Sequence, residues 1–416
     1  MSTRNRGWFS PWLALGFLLS AAAGSAQTFD SGSNGSDGAL NLTTPGTVVF
    51  DPASFVPALD PDGDHVYHFT TITVGAGVTV KLTATKVNAP VFWLAQGAVA
   101  IDGVIDLDGE PGQNGVLILN NGDRRPAVPG SGGFPGGVGA MGSAYPAGVA
   151  QPGAGPGGGR VAIGSSSAGN AGHSNPGAGT YGGAAYGNAF LVPLLGGSGG
   201  AGGGPDSGGV STRCGSGGGA GGGAILIASS LSVTVNGAVQ ANGGAAGTGN
   251  TVGGYGSGGG IRIVAPTFAG NGALGAGANG GAGQGRIRIE AFARNFTGSS
   301  SPSAVYASPF GLFLPTSQPS VRVVSIDGVP VPTLPDGSFT PPDLTINNSG
   351  ASTVAIEARN VPLGTLVKLV LLSENAADQM VDSTPLAGTL ELSTATATLA
   401  IPSGFSRGYV RATWTP

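Results

Sequence analysis

Apolar positions along this chain recur with the two-residue period of strands, and the helical period is absent. Between residues 66 and 101 short runs follow one another closely: Val66-Tyr67-His68-Phe69, Thr71-Ile72-Thr73-Val74, Val78-Thr79-Val80-Lys81-Leu82, Val91-Phe92-Trp93-Leu94 and Ala98-Val99-Ala100-Ile101. Their β-branched and aromatic content predicts five separate strands. Residues 27–61 are polar and irregular, with one expected strand at Thr47-Val48-Val49-Phe50. From Val321 a second series begins, including Val354 to Ala358, Leu366 to Leu371, Thr396 to Ile401 and Tyr409 to Trp414. Roughly seven strands in about 95 residues fit an immunoglobulin-like β-sandwich without its disulfide.

The polar corners between strands repeat. Asp102-Gly103-Val104-Ile105-Asp106-Leu107-Asp108-Gly109 matches Asn236-Gly237-Ala238-Val239-Gln240-Ala241-Asn242-Gly243, and a third copy starts at Asn271-Gly272-Ala273-Leu274. Ile225-Leu226-Ile227, Ile261-Arg262-Ile263 and Ile287-Arg288-Ile289 recur in the same way. Short strands joined by such corners at intervals of a few tens of residues predict β-solenoid coils, with each corner glycine supplying a positive φ.

Composition changes the picture in the middle of the chain. Glycine is 81 of 416 residues and charged residues are only 9%. Most of this bias lies between Gly109 and Gly223, a stretch punctuated by Phe134, Met141, Tyr145, Tyr181, Tyr186 and Phe190 to Leu195. One reading is a flexible low-complexity excursion. The other is packed polyglycine II, an extended helix of three residues per turn. The apolar anchors favour packing, because a solvated linker has no use for them. The expected fold is therefore all-β: β-solenoid coils interrupted by a glycine-rich, polyglycine II-like insertion, then the sandwich. The expected divisions are a signal peptide at 1–26, β-rich coils at 27–107, the insertion at 108–223, further coils at 224–295, a linker at 296–320 and the sandwich at 321–416.

Arg4 and Arg6, the apolar run Trp12 to Ala23 and the small residues Gly24-Ser25-Ala26 predict a cleavable export signal ending before Gln27, and hence a secreted or cell-surface protein. No later run is long enough for a transmembrane segment. Cleavage removes two of 17 basic residues and none of 21 acidic ones, leaving a net charge of −6. That sign argues against nucleic acid as a partner. Cys214 is the single cysteine, so no intramolecular disulfide framework exists.

The run Pro193-Leu194-Leu195-Gly196-Gly197-Ser198-Gly199-Gly200, followed by Gly221-Gly222-Gly223-Ala224-Ile225-Leu226-Ile227-Ala228 and Asn236-Gly237, resembles a recurring type of uncharacterised, glycine-rich secreted protein of environmental bacteria. The likeness spans most of the mature chain and implies an exported, repetitive β-rich protein. In composition the central stretch is also similar to the glycine-rich domains of anaplastic lymphoma kinase-type receptors and of T-even phage tail-tip adhesins. There, polyglycine II helices form a slab that presents binding loops.

Candidate chemistry is sparse. Gly-x-Gly-x-x-Gly matches lack the preceding strand of a dinucleotide site, and Gly196-Gly197-Ser198-Gly199-Gly200 lacks the strand–turn–helix of a nucleophile elbow. Asp60, Asp62 and Asp64 crowd one turn, and Asp106, Asp108 and Glu110 alternate toward one face. Both groups are calcium candidates, the second also a candidate carboxylate pair for glycoside hydrolysis, weighed against an acidic surface turn and a solvated coil edge, and no other cofactor is expected. Tyr145, Tyr181, Tyr186 and Phe134 are candidates for stacking on sugars, or anchors of the glycine slab. The expected function is non-enzymatic: a structural or adhesive protein displaying loops to a glycan, a surface or another copy of itself. The alternatives are a carbohydrate-active β-helix enzyme (polysaccharide lyase or hydrolase) and an ice- or mineral-binding protein.

Overall fold

The computed structural model describes residues 27–61, 63–118, 123–142, 148–162, 167–204, 214–249, 251–314, 318–335, 337–348 and 350–414. The expected signal at 1–26 lies outside them. The described residues are all-β, with no α-helix. The first fifteen strands are β1 (Gly38–Leu42), β2 (Gly46–Val49), β3 (Val66–Val74), β4 (Val78–Lys81), β5 (Val91–Ala95), β6 (Val99–Ile101), β7 (Val104–Asp106), β8 (Ala224–Ser229), β9 (Ser232–Val235), β10 (Ala238–Gln240), β11 (Gly260–Gly270), β12 (Ala273–Gly275), β13 (Arg286–Phe296), β14 (Ser299–Ser301) and β15 (Val305–Ala307).

Every pairing among them is parallel. One six-stranded sheet runs β14-β12-β10-β7-β4-β2. In the other, β3 pairs with β5 and β6, β11 pairs with β8 and β9, and β5–β8 and β6–β9 complete the circuit. The ring β3–β5–β8–β11–β9–β6 thus closes on itself as a six-stranded parallel barrel, with β1, β13 and β15 attached outside it. This overturns the expected β-solenoid. The physical cause lies in two strands that the pattern reading cut short. Thr70 is β-branched and breaks nothing, so Val66–Phe69 and Thr71–Val74 form one strand. Pro266 likewise leaves Gly260–Gly270 continuous. Each long strand carries two ring partners along its length, beside the outer strand β1 or β13, and the pairing branches and rejoins.

Alternation fills the interior. Tyr67, Phe69, Val91, Trp93, Ile225, Ile227, Ile261, Ile263 and Phe268 point inward with Val80, Ile105, Val239 and Leu274 of the second sheet, forming one buried cluster. Phe50 meets Trp93 at a tilt of 60° with ring centroids 5.3 Å apart, and Phe69 meets Trp93 edge-on at 6.2 Å. The residues between them face outward, and several are covered too: Phe92, Leu94, Leu226 and Val264 pack with Leu191, Leu194, Leu312 and Leu314. Beside this cover, Glu290 is held by Arg262 at 3.1 Å and Arg288 at 2.6 Å, and all three are buried.

The sequence repeat is a structural register. Val104, Ile105 and Asp106 lie opposite Ala238, Val239 and Gln240, which lie opposite Ala273, Leu274 and Gly275. The corner glycines serve a purpose other than the expected one. Gly103, Gly237 and Gly272 are not in the positive-φ region. They stack: a Cβ on Gly237 would sit 1.8 Å from the Gly103 carbonyl oxygen, and one on Gly272 would sit 2.1 Å from that of Gly237.

The glycine segments form a hydrogen-bonded body continuous with the strands. Within residues 215–223, Gly215, Gly218 and Gly221 donate to Ala140, Gly137 and Phe134. Ser216, Gly219 and Gly222 donate to Thr251, Gly254 and Ser257, while Gly217, Ala220 and Gly223 donate to Gln113, Glu110 and Leu107. All nine bonds are 2.8–3.0 Å. Each residue in three faces a different neighbour, which is the symmetry of an extended chain with three residues per turn. The glycine-rich segments continue the strands: residues 107–113 leave β7, 215–223 enter β8, and 251–257 precede β11.

The remaining strands are β16 (Ser320–Ile326), β17 (Val329–Pro330), β18 (Ala351–Arg359), β19 (Val367–Ser373), β20 (Gln379–Asp382), β21 (Ala387–Gly388), β22 (Ser393–Ala400) and β23 (Ser406–Ala412). They form antiparallel sheets ordered β17-β16-β18-β22-β21 and β20-β19-β23 around Val354, Ile356, Leu369, Leu371 and Leu399. The expected immunoglobulin-like sandwich is not established by this five-on-three arrangement, since the constant-type fold sets four strands on three. The short edge strands β17 and β21 and the added β20 were not visible as strands in the pattern.

Gly237→Ala drives a methyl group into the Gly103 carbonyl, whereas a Cβ on Gly311 meets nothing within 4 Å. The first change is expected to cost about 3 kcal/mol or more by overpacking, the second under about 0.5 kcal/mol. Urea denaturation of both variants checks this; equal stabilities would contradict the stacked-glycine column.

Candidate binding cleft

The C-terminal unit docks on the glycine body through the outer face of β19. Val367, Leu369 and Leu371 point into that unit's core, so Lys368, Val370 and Leu372 point the other way. Val370 and Leu372 pack with Val138 of the glycine body and with Tyr409 of β23. One ion pair locks the contact. Arg124 is fully buried, and its Nη2 donates to Asp378 Oδ1. Its Nη1 donates to the carbonyls of Gly139 at 3.1 Å and Val149 at 3.2 Å, and Asp378 Oδ2 accepts the Val149 amide at 3.1 Å.

Beyond this contact the two parts separate into an open cleft of about 530 Å³. Ala150, Gln151 and Pro152 form one wall, and Lys368, Met380, Asp382 and Arg411 belong to the other. Register creates the polar row on the second wall: Asp382 lies opposite Lys368 and Lys368 opposite Arg411. Lys368 Nζ binds Asp382 Oδ1 at 2.6 Å, with both side chains half-exposed. The Arg411 side chain makes no ion pair or hydrogen bond among the described residues. Gln151 is buried, and its Nε2 has no hydrogen-bond partner there. None of these four residues stood out in the sequence. The available signal was that Lys368 is one of only three lysines, with Lys81 and Lys86, placed between the apolar Val367 and Leu369.

The sequence candidates fall elsewhere. Asp60 accepts the amides of Asp64 and His65, each at 3.0 Å, and Asp64 accepts that of Val66 at 2.8 Å. These carboxylates tie the turn before β3, and Asp62 lies outside the described residues. Asp106 accepts the Asp108 amide at 2.9 Å. Asp108 accepts the Asn242 amide at 2.6 Å and its side-chain Nδ2 at 3.2 Å, while Asn242 Oδ1 accepts from Gly277 at 2.8 Å. Asp108 thus begins a ladder across successive repeats; burial raises its pKa, and the Asn242 bonds oppose that. The two aspartate groups are not brought together as a metal centre, and no cluster of three or more ligating side chains occurs among the described residues.

Tyr145 lies outside the described residues. Phe134 packs against Gly155 beside Ser198. Tyr186 is held by its hydroxyl, which donates to Gly196 at 2.6 Å and accepts from Ser198 at 3.0 Å, and its ring stacks on His173 at 4.6 Å. Burial pushes the Tyr186 hydroxyl pKa upward. Tyr181 is half-buried, and its carbonyl accepts from Arg160. Cys214 is buried with Ile118 and Met141.

No family model, curated protein or solved structure matches this chain.

Two predictions follow from these contacts. Arg124→Met leaves Asp378 without its cation in a buried interface, and is expected to cost about 3–5 kcal/mol. Limited proteolysis should then release the C-terminal unit; a variant as resistant as the parent would contradict the lock. His173 bonds the Gly258 carbonyl at 2.7 Å, and burial lowers its pKa to about 4. The folded protein therefore binds this proton less readily than the unfolded chain. Its contribution is complete above about pH 6.5 and is lost as pH falls toward 4, by about 3 kcal/mol in all. His173→Gln should flatten the stability–pH curve in that window; an unchanged slope would refute the assignment.

Proposed function

We propose that this is an exported, non-enzymatic structural or adhesive protein that displays a ligand-binding cleft on a rigid glycine-rich framework. The observation that carries this reading is the Arg124–Asp378 lock. It fastens the C-terminal unit to a body whose segments are cross-linked by backbone hydrogen bonds every third residue. The cleft walls therefore come from two parts held in fixed relation, which suits presentation to a surface. Packing of the polyglycine II type supplies the stiffness. Export rests on the residues of the expected signal. A non-enzymatic role is supported by the cleft's carboxylate: Asp382 is engaged by Lys368 at 2.6 Å, whereas hydrolysis of glycosides uses a pair of carboxylates across the reacting bond. Among the described residues no helix is long and apolar enough to cross a membrane.

A glycan array probed with the mature protein, run beside a reducing-sugar release assay on the glycans it retains, tests the reading. Retention of at least one glycan class without release is expected. Release of sugar from any retained polymer would replace this reading with an enzymatic one.

A further inference from the structure

We propose that the cleft between the glycine body and the C-terminal unit binds a carboxylate-bearing saccharide, a uronate residue of a polysaccharide. The inference rests on the adhesive reading and names its ligand class. Three strands set the polar row. Asp382, Lys368 and Arg411 face one another in register, so the backbones of Asp382 and Arg411 are two strand spacings apart, about 9.5 Å. Lys368 between them neutralises Asp382 at 2.6 Å. Arg411 therefore stands, among the described residues, as a cation without an ion pair at one end of the row, in a chain whose net charge is negative. A planar guanidinium presents paired donors that match a carboxylate, and such bonds are about twice as strong as neutral ones.

The opposite wall supplies the second requirement. Gln151 Nε2 is buried beside the cleft with no acceptor among the described residues. An unmet buried donor is costly, and an acceptor oxygen on a ligand removes that cost. At the other end, Asp382 offers lone pairs to sugar hydroxyls. Pro152 and Met380 provide apolar surface for the carbon face of a ring. The volume of about 530 Å³ lies within the range of small-ligand sites. An acidic peptide would satisfy Arg411 but would leave Asp382 facing no hydroxyls, so the saccharide is favoured.

Calorimetric titration of the full mature protein with a short oligogalacturonate, with the same oligomer as its methyl ester, and with oligoglutamate tests the assignment. The free acid is expected to bind at least about tenfold more tightly than the ester, because only the acid retains the charge-assisted bonds. Arg411→Gln should weaken binding of the acid by about tenfold and that of the ester by much less, with Arg411→Lys intermediate for the acid. Lys368→Gln, which unmasks the Asp382 charge, should also weaken the acid selectively. Unaltered near-ultraviolet circular dichroism establishes that the variants are folded. Equal binding of acid and ester, full binding by folded Arg411→Gln, or oligoglutamate binding as tightly as the uronate would each overturn the proposal. If neutral glycans are retained on the array while the uronate is not preferred, the adhesive reading stands and this inference falls. Retention of no glycan at all removes both.

Discussion

The structure depends on backbone hydrogen bonds made where no side chain intervenes. In residues 215–223 successive amides reach three different neighbours, and a Cβ at Gly221 would lie 1.8 Å from the Gly197 carbonyl oxygen. Backbone approach this close is open only to glycine. Ordering glycine carries a large entropic cost, about 1 kcal/mol more per residue than alanine in regular structure. The dense lateral bonding offsets that cost, and the continuity of each segment with β7, β8 or β11 fixes where the segments start. Low charge follows from the same constraint, since buried segments leave few places where a charge can be solvated.

The parallel sheets and the glycine body are consequently one object. The column Gly103–Gly237–Gly272 sets the spacing at the corners, and the Asp108–Asn242–Gly277 ladder repeats it a few residues later. Aspartate and asparagine at these positions act in pairs, one accepting and the next both donating and accepting. Polar residues that resemble ligand donors in a linear sequence are here spent on register.

Much of this was legible in the sequence, and the misses have definite causes. The match between Asp102–Gly109 and Asn236–Gly243 is the β7–β10 register, residue for residue. The all-β class and most strand positions follow from alternation. Barrel closure was not legible, because it depends on β3 and β11 each serving two partners, and alternation is silent about which strands pair. The role of the corner glycines was misassigned for a related reason: a need for positive φ and a need for close approach leave the same residue type. The cleft residues were hidden because Lys368, Asp382 and Arg411 are ordinary strand residues until three strands align them. Gln151 becomes conspicuous only through the acceptor it lacks.

The C-terminal unit adds a polar cleft to a framework built largely of glycine backbone. Arg124, a charge inside an almost uncharged stretch, is the residue that joins the two, and the cleft exists because the joint leaves the far end of β19 uncovered. The central claim is that the glycine segments form an ordered, hydrogen-bonded framework. Native-state hydrogen exchange of the protein measures this directly. The account predicts that the amides of Gly218, Gly219 and Ala220 are protected to the same degree as those of Ile225 and Ile227 in β8; exchange of the glycine amides at the rates of an unstructured peptide would contradict it.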